Sequence, residues 1–459
     1  MAILEERVKG LQSISLQSST GAHLKTDLPR TLGFADALSI VIGMTIGGGI
    51  FLVPNLIARN LGSAAPILGL WIFAGIVSFF GALACAELGA AMPATGGQYV
   101  FLREAYGPLG GFLCGWTNFL VARSAQAAWL AVIFTVYVSY FHAFSPLASK
   151  LVSLGALALF TFINYRGVSL GALVQKSFTA AKVIGILIIV GGAFLFGHPH
   201  AGAAPAGHSI SLSSFGVALI ACLLAYDGWV QMSFVAGEIR DPGRNILRAL
   251  AIGTAAVIAI YLSANLAYLR VLSVPEIAAS ERVGAEATER IFGPAGGTLV
   301  SVIILLSIIG TLNGCFLTSP RIYFAQARDG LFFRQFGEVH PRYRTPGFAI
   351  VAQGAWSAVL IVTGSYETLV DYAMFAIWVL YVFMVAGVMV LRRTRPDLPR
   401  PYRMWGYPVT PAIFLAIAVW FLGNMLFTRP GPALAGLGLM LTGVPVYYVW
   451  RKLGNVTTG

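Results

Sequence analysis

Charged residues are scarce in this sequence. Only 10% of its 459 residues are Asp, Glu, Lys or Arg, whereas 57% are hydrophobic and the mean hydropathy is +0.79. Soluble globular chains carry about 25% charged residues, so a chain this apolar cannot cover its outer surface with groups that water solvates. The composition therefore excludes a water-soluble enzyme and predicts a protein whose surroundings are largely lipid.

Reactive and metal-binding side chains are also few. The chain has four cysteines, all inside apolar runs, and six histidines that do not cluster at metal-ligand spacing. No CxxC, HExxH or P-loop pattern occurs, which argues against a redox pair, a zinc site and a nucleotide site. We therefore expect no cofactor, no metal and no enzymatic activity. The cysteines, expected to be small packing residues, are Cys85, Cys114, Cys222 and Cys315.

Long apolar runs are abundant. About 20 helical residues cross the hydrocarbon layer of a membrane, and about twelve runs of this length occur along the chain. They predict an all-α polytopic membrane protein. The predicted spans are 33–59, 65–92, 107–141, 147–164, 173–196, 213–237, 246–271, 291–327, 347–363, 368–391, 409–427 and 432–451.

Basic residues are distributed unevenly between the predicted loops. The net charge is +12, and the cluster Arg240, Arg244 and Arg248 falls on the side of the membrane where the N-terminus is predicted. Because Lys and Arg accumulate in cytoplasmic loops, we predict cytoplasmic tails at 1–32 and 452–459 and an inner-membrane location. The positive charge then reflects topology and contact with anionic membrane lipid, not nucleic-acid binding.

The first predicted span is interrupted by glycines. Gly47, Gly48 and Gly49 follow one another near its middle, although each glycine inside a helix costs about 1 kcal/mol relative to alanine. Two interpretations remain open from this stretch. The glycines allow helices to pack closely, or they unwind the helix and free backbone groups for a ligand, which is tolerated at this depth only where the backbone lines a cavity.

The sixth predicted span is interrupted as well. It contains Ala225-Tyr226-Asp227-Gly228 inside a long apolar run, and an acid at this depth is either functional or satisfied by neighbouring backbone. Interruptions in the first helix of each of two five-helix halves favour a substrate site near the middle of the membrane. Because helix N-termini attract carboxylates and free carbonyls attract an ammonium group, an amino acid fits such a site.

Motifs at 43–51, 86–99, 178–182, 225–229, 241–245 and 313–321 follow one another along nearly the whole chain. Together they resemble the amino acid–polyamine–organocation superfamily, and within it the L-type amino acid transporters and their bacterial relatives. The resemblance implies the leucine-transporter-type fold and transport by alternating access. In that fold a 5+5 inverted repeat, here 33–196 and 213–391, is followed by two extra helices, here 409–451.

The resemblance also implies roles for individual residues. The substrate carboxylate would lie on the amides of Gly47, Gly48 and Gly49, and the ammonium on carbonyls around Ile46 and along 224–227. Relatives often carry a serine where this chain has Gly48 and an aromatic gate just before the sixth-span motif. Here carboxylate recognition is therefore expected to rest on backbone alone and the gate to be aliphatic. The other residues implied to contact substrate are Thr45, Leu224, Ala225, Tyr226, Asp227 and Asn313.

Lys182 lies about two helical turns inside the fifth predicted span, where an uncompensated ammonium is costly. In sodium-coupled carriers of the implied fold, a bound cation joins spans 1 and 8 beside span 5. We therefore predict that Lys182 replaces this cation, held by the carbonyl of Gly43 and a hydroxyl such as that of Ser307 or Thr311. Transport would then be independent of sodium. The alternative is that Lys182 releases a proton and couples uptake to protons.

The predicted activity is exchange of small neutral amino acids without sodium. Proton-coupled amino acid uptake is the alternative, and a membrane-embedded amino acid sensor is a more distant one. Animal light chains of the resembled branch use a cysteine in the loop after span 3 to bond a heavy subunit. The corresponding loop here, 142–150, contains no cysteine, so no disulfide-linked heavy subunit is expected.

Overall fold

The computed structural model describes residues 28–199, 210–364 and 366–452. Residues 1–27 and 453–459, most of the two predicted tails, lie outside it. The described residues are mainly helical and contain no strand, only an isolated bridge between Leu32 and Ile239. Within these ranges, eleven helices are long and apolar enough to cross a membrane, and a shorter apolar helix, Gly347–Thr363, corresponds to the ninth predicted span. The chain is a multi-pass membrane protein, as its composition predicted.

We number the membrane spans 1 to 12 in chain order. Seven spans are single helices. They are Ala64–Ala91 (span 2), Pro146–Arg166 (span 4), Val168–Leu195 (span 5), Pro242–Val271 (span 7), Gly347–Thr363 (span 9), Tyr366–Thr394 (span 10) and Val409–Thr428 (span 11). The remaining spans are divided. Their parts are Phe34–Thr45 with Gly49–Leu52 (span 1), Gln98–Thr117 with Arg123–Val138 (span 3), Leu212–Ala225 with Trp229–Glu238 (span 6), Ala295–Thr318 with Pro320–Arg328 (span 8), and Pro430–Leu441 with Gly443–Lys452 (span 12).

Three shorter helices and three irregular helical segments complete the described helices, and one of these segments is the 3-10 helix Arg334–Gly337 between spans 8 and 9. Pro54–Leu61 follows span 1, and the helices Val274–Ala279 and Val283–Phe292 connect spans 7 and 8. A π-helical turn at Asn118–Ala122 joins the parts of span 3, and the second part of span 6 is a 3-10 helix.

A helical segment that the sequence analysis did not include in span 3 precedes its predicted start. The segment begins at Gln98, and its backbone leaves the helical conformation at Gly107, so the predicted start at 107 coincides with a kink between two helical parts. Gly107 has φ +79°, which glycine adopts without steric cost, and Pro108 fits the first turn after the kink because no N–H is needed there.

Span 1 lies at the centre of the bundle. It packs against spans 5, 7 and 8 and against the 3-10 half of span 6. Its apolar stretch is 67% buried, compared with 17% for span 4, so span 4 lies at the lipid-facing periphery. The interruptions in spans 1 and 6 are therefore enclosed by protein, which is where irregular backbone is tolerated within a membrane.

Candidate functional site

The break in span 1 leaves backbone donors unpaired. Its first helix ends at Thr45 and its second begins at Gly49. The Gly47 N–H donates to the Thr45 carbonyl at 2.9 Å, whereas the N–H groups of Gly48 and Gly49 have no acceptor within the described part of the chain. Because buried N–H groups in folded proteins are almost always paired, these two adjacent donors are suited to an acceptor on a ligand.

The three glycines of this break differ in their surroundings. A Cβ atom at Gly49 would lie 2.9 Å from both Cα and Cβ of Ala225, whereas at Gly48 its nearest neighbour would be Leu52 Cδ1 at 3.3 Å. At Gly47 it would meet only Thr311 Oγ1, at 3.8 Å. Both interpretations left open by the sequence therefore apply: Gly49 permits close packing of span 1 on span 6, and the chain is unwound at Gly47 and Gly48.

The break in span 6 lies against the break in span 1. The first helix of span 6 ends at Ala225 and the 3-10 helix begins at Trp229. Between them, Gly228 has φ +130°, and a Cβ atom there would lie 2.5 Å from the carbonyl carbon of Met44. Glycine is thus required at Gly228 both by its backbone angle and by this approach.

Tyr261 of span 7 joins the two breaks. Its hydroxyl lies 2.9 Å from the carbonyl oxygens of both Thr45 and Ala225, the last residues of the two interrupted helices. The sequence analysis did not identify Tyr261. An isolated tyrosine in an apolar span indicates that its hydroxyl needs a buried partner, but which carbonyls serve depends on how three distant segments pack.

Lys182 connects spans 1, 5 and 8. Its fully buried Nζ lies 2.9 Å from the Gly43 carbonyl oxygen, 2.7 Å from that of Ile46, 3.0 Å from that of Ser307 and 3.3 Å from Thr311 Oγ1. Four oxygens around one ammonium resemble the coordination of a small cation. The contact to Ser307 differs from the prediction, since its backbone carbonyl, not its hydroxyl, faces Lys182.

Ile46 contributes to this lysine site. Its carbonyl accepts hydrogen bonds from Lys182 Nζ at 2.7 Å and from the Ser307 hydroxyl at 2.9 Å. The Ser307 hydroxyl has a single hydrogen and lies equally close to the Gly47 carbonyl oxygen, at 3.0 Å, so it is shared between the two carbonyls. The resemblance places the substrate ammonium on carbonyls around Ile46, and in this structure the Ile46 carbonyl accepts from Lys182.

The side chains of Tyr226 and Asp227 point away from span 1. The Tyr226 hydroxyl donates to the carbonyl of Trp71 in span 2 at 3.1 Å. Asp227 accepts a 2.5 Å hydrogen bond from the hydroxyl of Tyr381 in span 10, and its Oδ2 atom has no hydrogen-bond partner within the described residues. At the break itself, these two residues therefore offer backbone groups.

Asn313 lies in a different polar cluster. Its amide nitrogen donates to the Gly171 carbonyl at 3.0 Å and to Gln175 Oε1 at 3.1 Å, and its oxygen accepts from Asn164 at 3.0 Å. The side chain is completely buried among spans 4, 5 and 8. Because both ends of its amide are paired within the protein, the structure does not bring Asn313 together with the predicted substrate residues.

The bundle is closed on one side of the breaks and hollow on the other. Where span 1 begins, Arg321 of span 8 forms an almost completely buried ion pair with Glu238 at the end of span 6, at 2.8 Å. On the opposite side, a cavity of about 590 Å³ lies next to Phe51 and Leu52, directly beyond the glycines. A small molecule could therefore approach the breaks from that side while the first side is sealed.

Among the described residues, no group of His, Cys, Asp and Glu side chains could hold a metal ion. The groups described at the breaks themselves are backbone donors and acceptors, among them the N–H groups of Gly48 and Gly49. Such donors suit the acceptor atoms of a small polar molecule.

Known transport proteins are similar to this chain over most of its length. A family model described as amino acid permease matches residues 32–449. The serine/threonine exchanger SteT of Bacillus subtilis is 34% identical over 428 residues, which cover 93% of this chain and 98% of that protein. The mouse b(0,+)-type amino acid transporter 1 is 31% identical over 455 residues, covering 95% and 92%. The mouse large neutral amino acids transporter small subunit 2 is 33% identical over 437 residues, covering 92% and 81%.

Proposed function

This chain belongs to the amino acid permease family, and from this premise we propose that it exchanges small neutral L-amino acids, without sodium, at the paired breaks of spans 1 and 6. Two unpaired amides, those of Gly48 and Gly49, carry the proposal. They suit a carboxylate, which all amino acids share. With the Ile46 carbonyl engaged elsewhere, the substrate ammonium is assigned to carbonyls along 224–227.

The proposed substrate class rests on the side chains beside the breaks and on the relatives. Leu224 is partly exposed beside the break, and Leu52 Cδ1 lies close to Gly48, so aliphatic groups border the position proposed for the carboxylate. The relative from Bacillus subtilis, which matches this chain over 98% of its length, is named a serine/threonine exchanger. Both observations favour small neutral side chains.

The proposal includes an arrangement in the membrane. Spans 1–5 and 6–10 form the two halves of an inverted repeat, at 33–196 and 213–391, with the extra helices at 409–451. Because Lys and Arg accumulate in cytoplasmic loops, the proposal has both chain termini in the cytoplasm and the protein in an inner membrane. The carrier acts without a disulfide-linked heavy subunit, since the loop at 142–150 has no cysteine.

Exchange is tested with purified protein in liposomes. Uptake of labelled serine should be several-fold faster into liposomes loaded with unlabelled serine than into empty ones, and should be unchanged when choline replaces sodium. Competition by each of the other nineteen amino acids ranks the substrates, with lysine and arginine testing whether the carrier is restricted to neutral ones. Equal uptake into loaded and empty liposomes would contradict exchange.

Proton-coupled uptake is the second candidate, and Lys182 is the observation that favours it. Lys182 is completely buried, and its contacts are to uncharged oxygens. A lysine in such a place could lose its proton when span 1 moves and its carbonyl partners separate. Accumulation of serine driven by an imposed pH gradient, in liposomes without internal amino acid, would establish this mechanism in place of exchange.

Leu224 is predicted to set the preferred substrate size. Replacing it with tryptophan should shrink the pocket and raise the uptake of alanine relative to leucine by about tenfold, since a methylene group is worth roughly 1–3 kcal/mol of discrimination. The ratio of the two uptake rates is the measurement. Leu212→Trp is the matched control, because Leu212 is 76% exposed at the start of the same span. An unchanged ranking in Leu224→Trp would remove Leu224 from the pocket.

A further inference from the structure

A basic pocket lies where span 8 leaves the bundle. It has a volume of about 720 Å³ and lies between the end of span 8 and the turn that leads to span 9. Three arginines line it, Arg328, Arg334 and Arg344, together with a single acid, Glu338. The pocket is remote from the paired breaks, and amino acid exchange as described above makes no use of it.

Two of these arginines, Arg334 and Arg344, lie on backbone with a regular hydrogen-bonded conformation. Arg334 is the first residue of the 3-10 helix Arg334–Gly337. Arg344 has φ +55° in a turn that is closed by two hydrogen bonds, from its own N–H to the His340 carbonyl at 2.9 Å and from the His340 N–H to the Thr345 carbonyl at 2.8 Å. Both side chains are exposed, and neither forms an ion pair within the described residues. Two guanidinium groups thus remain available to an anion.

Exposed aromatic rings flank the same turn. Phe333, next to Arg334, and Phe348 of span 9 are each 49% exposed. Trp450 of span 12 packs edge-on against Phe333, with ring centroids 4.8 Å apart, and its Nε1 donates to the Gly330 carbonyl at 3.2 Å. Aromatic side chains of this kind are enriched where a membrane protein meets the lipid headgroups. Exposed aromatic rings of the kind that lie at lipid headgroups therefore stand next to Arg334, which lines the basic pocket.

We propose that this pocket binds the phosphate headgroup of an anionic phospholipid. Arg334 and Arg344 bind the phosphate, for which the planar guanidinium group is well shaped, and an acyl chain lies along Phe333 and Phe348. Basic pockets between membrane helices are a known type of site for such lipids. A free phosphate ion would use the arginines but would gain nothing from the aromatic surface.

The test compares lipid binding by wild type and by the double variant Arg334→Gln/Arg344→Gln. Native mass spectrometry with dioleoyl phosphatidylglycerol and dioleoyl phosphatidylcholine measures the affinity for each. Wild type should prefer phosphatidylglycerol, and the double variant should bind it at least tenfold more weakly, since the loss of one charge-assisted hydrogen bond to the phosphate already corresponds to about that factor. The control is Arg393→Gln/Arg403→Gln, which removes two exposed arginines elsewhere and should bind phosphatidylglycerol as wild type does.

Three results would overturn the proposal. One is equal binding of the two lipids by wild type, and another is an equal loss in the control variant, which would indicate general attraction by charge. The third is displacement of phosphatidylglycerol by inorganic phosphate at equal concentration, which would indicate a free phosphate site. Serine exchange by each variant is measured separately, so a failure of lipid binding is distinguished from a failure of transport.

Discussion

Replacing Lys182 with alanine is expected to abolish serine exchange. The side chain contributes three N–H donors to oxygens of Gly43, Ile46 and Ser307, with Thr311 as a fourth contact. Each buried acceptor that loses its partner costs about 1–3 kcal/mol. The loss would fall on the junction between spans 1, 5 and 8, so the unwound segment that is proposed to bind substrate would no longer be held in place.

The matched control for this variant is Lys176→Ala. Lys176 lies in the same helix, but its side chain is 43% exposed and it forms an ion pair with Asp36 at 2.9 Å. Exposed ion pairs contribute about 0–1 kcal/mol, so exchange should be nearly normal. Protein abundance and the elution profile on size exclusion are measured for both variants, which separates misfolding from loss of transport.

The sodium dependence of the two proteins tests the role proposed for Lys182. Wild type should exchange serine equally in sodium and in choline, because the ammonium group occupies the position that a cation would need. If Lys182→Ala regains exchange in sodium but not in choline, a cation has replaced the ammonium and the proposal is supported. Unimpaired exchange by Lys182→Ala in choline, or sodium-dependent exchange by wild type, would contradict the proposal that Lys182 replaces a bound cation.

Alanine at Gly49 is expected to reduce exchange by about 10- to 100-fold, whereas alanine at Gly48 should be tolerated. A Cβ atom at Gly49 would lie 2.9 Å from Cα of Ala225, a backbone atom that cannot move without displacing span 6. Overpacking of this kind costs roughly 1–3 kcal/mol, and about 1.4 kcal/mol corresponds to a factor of ten. At Gly48 the nearest atom is the flexible end of Leu52, at 3.3 Å.

The two alanine variants are each other's control, because they make the same chemical change at adjacent positions. Serine exchange in liposomes and thermal stability in detergent are measured for both. Gly48→Val adds a second comparison: its branched side chain would fill the space assigned to the substrate carboxylate and should abolish exchange with little change in stability. Equal activity of Gly48→Ala and Gly49→Ala would show that the close approach to Ala225 has no role in transport.

Much of the fold could be predicted because hydrophobic length is a local property. A run of about 20 apolar residues is sufficient to predict a span, and consecutive glycines are sufficient to predict a weak point in a helix. The helical segment that begins at Gln98 was not predicted as part of span 3. Gly107, with φ +79°, interrupts the helix, but whether the chain on its two sides belongs to one span depends on the helices packed around it.

Some features of the candidate site could also be predicted from local sequence, whereas others depend on how distant helices pack. The break at Gly47, Gly48 and Gly49 and the break after Ala225 follow from residue types that are visible in the sequence, as does the presence of an ammonium group at Lys182. The partners of the Ile46 carbonyl were not predicted. Its hydrogen bonds come from residues more than a hundred positions away along the chain, and no local pattern records such partners.

By itself, the sequence determined that this protein spans a membrane many times, that spans 1 and 6 are interrupted, and that a lysine lies within span 5. These properties depend on hydrophobicity and backbone preference, which each segment carries alone. Only the tertiary structure decided that Gly49 packs on Ala225, that Tyr261 lies between the two interrupted helices, and that Asn313 is turned toward spans 4 and 5. The reason is physical: a buried hydrogen-bonding group takes whichever partner the packing of distant helices brings within about 3 Å.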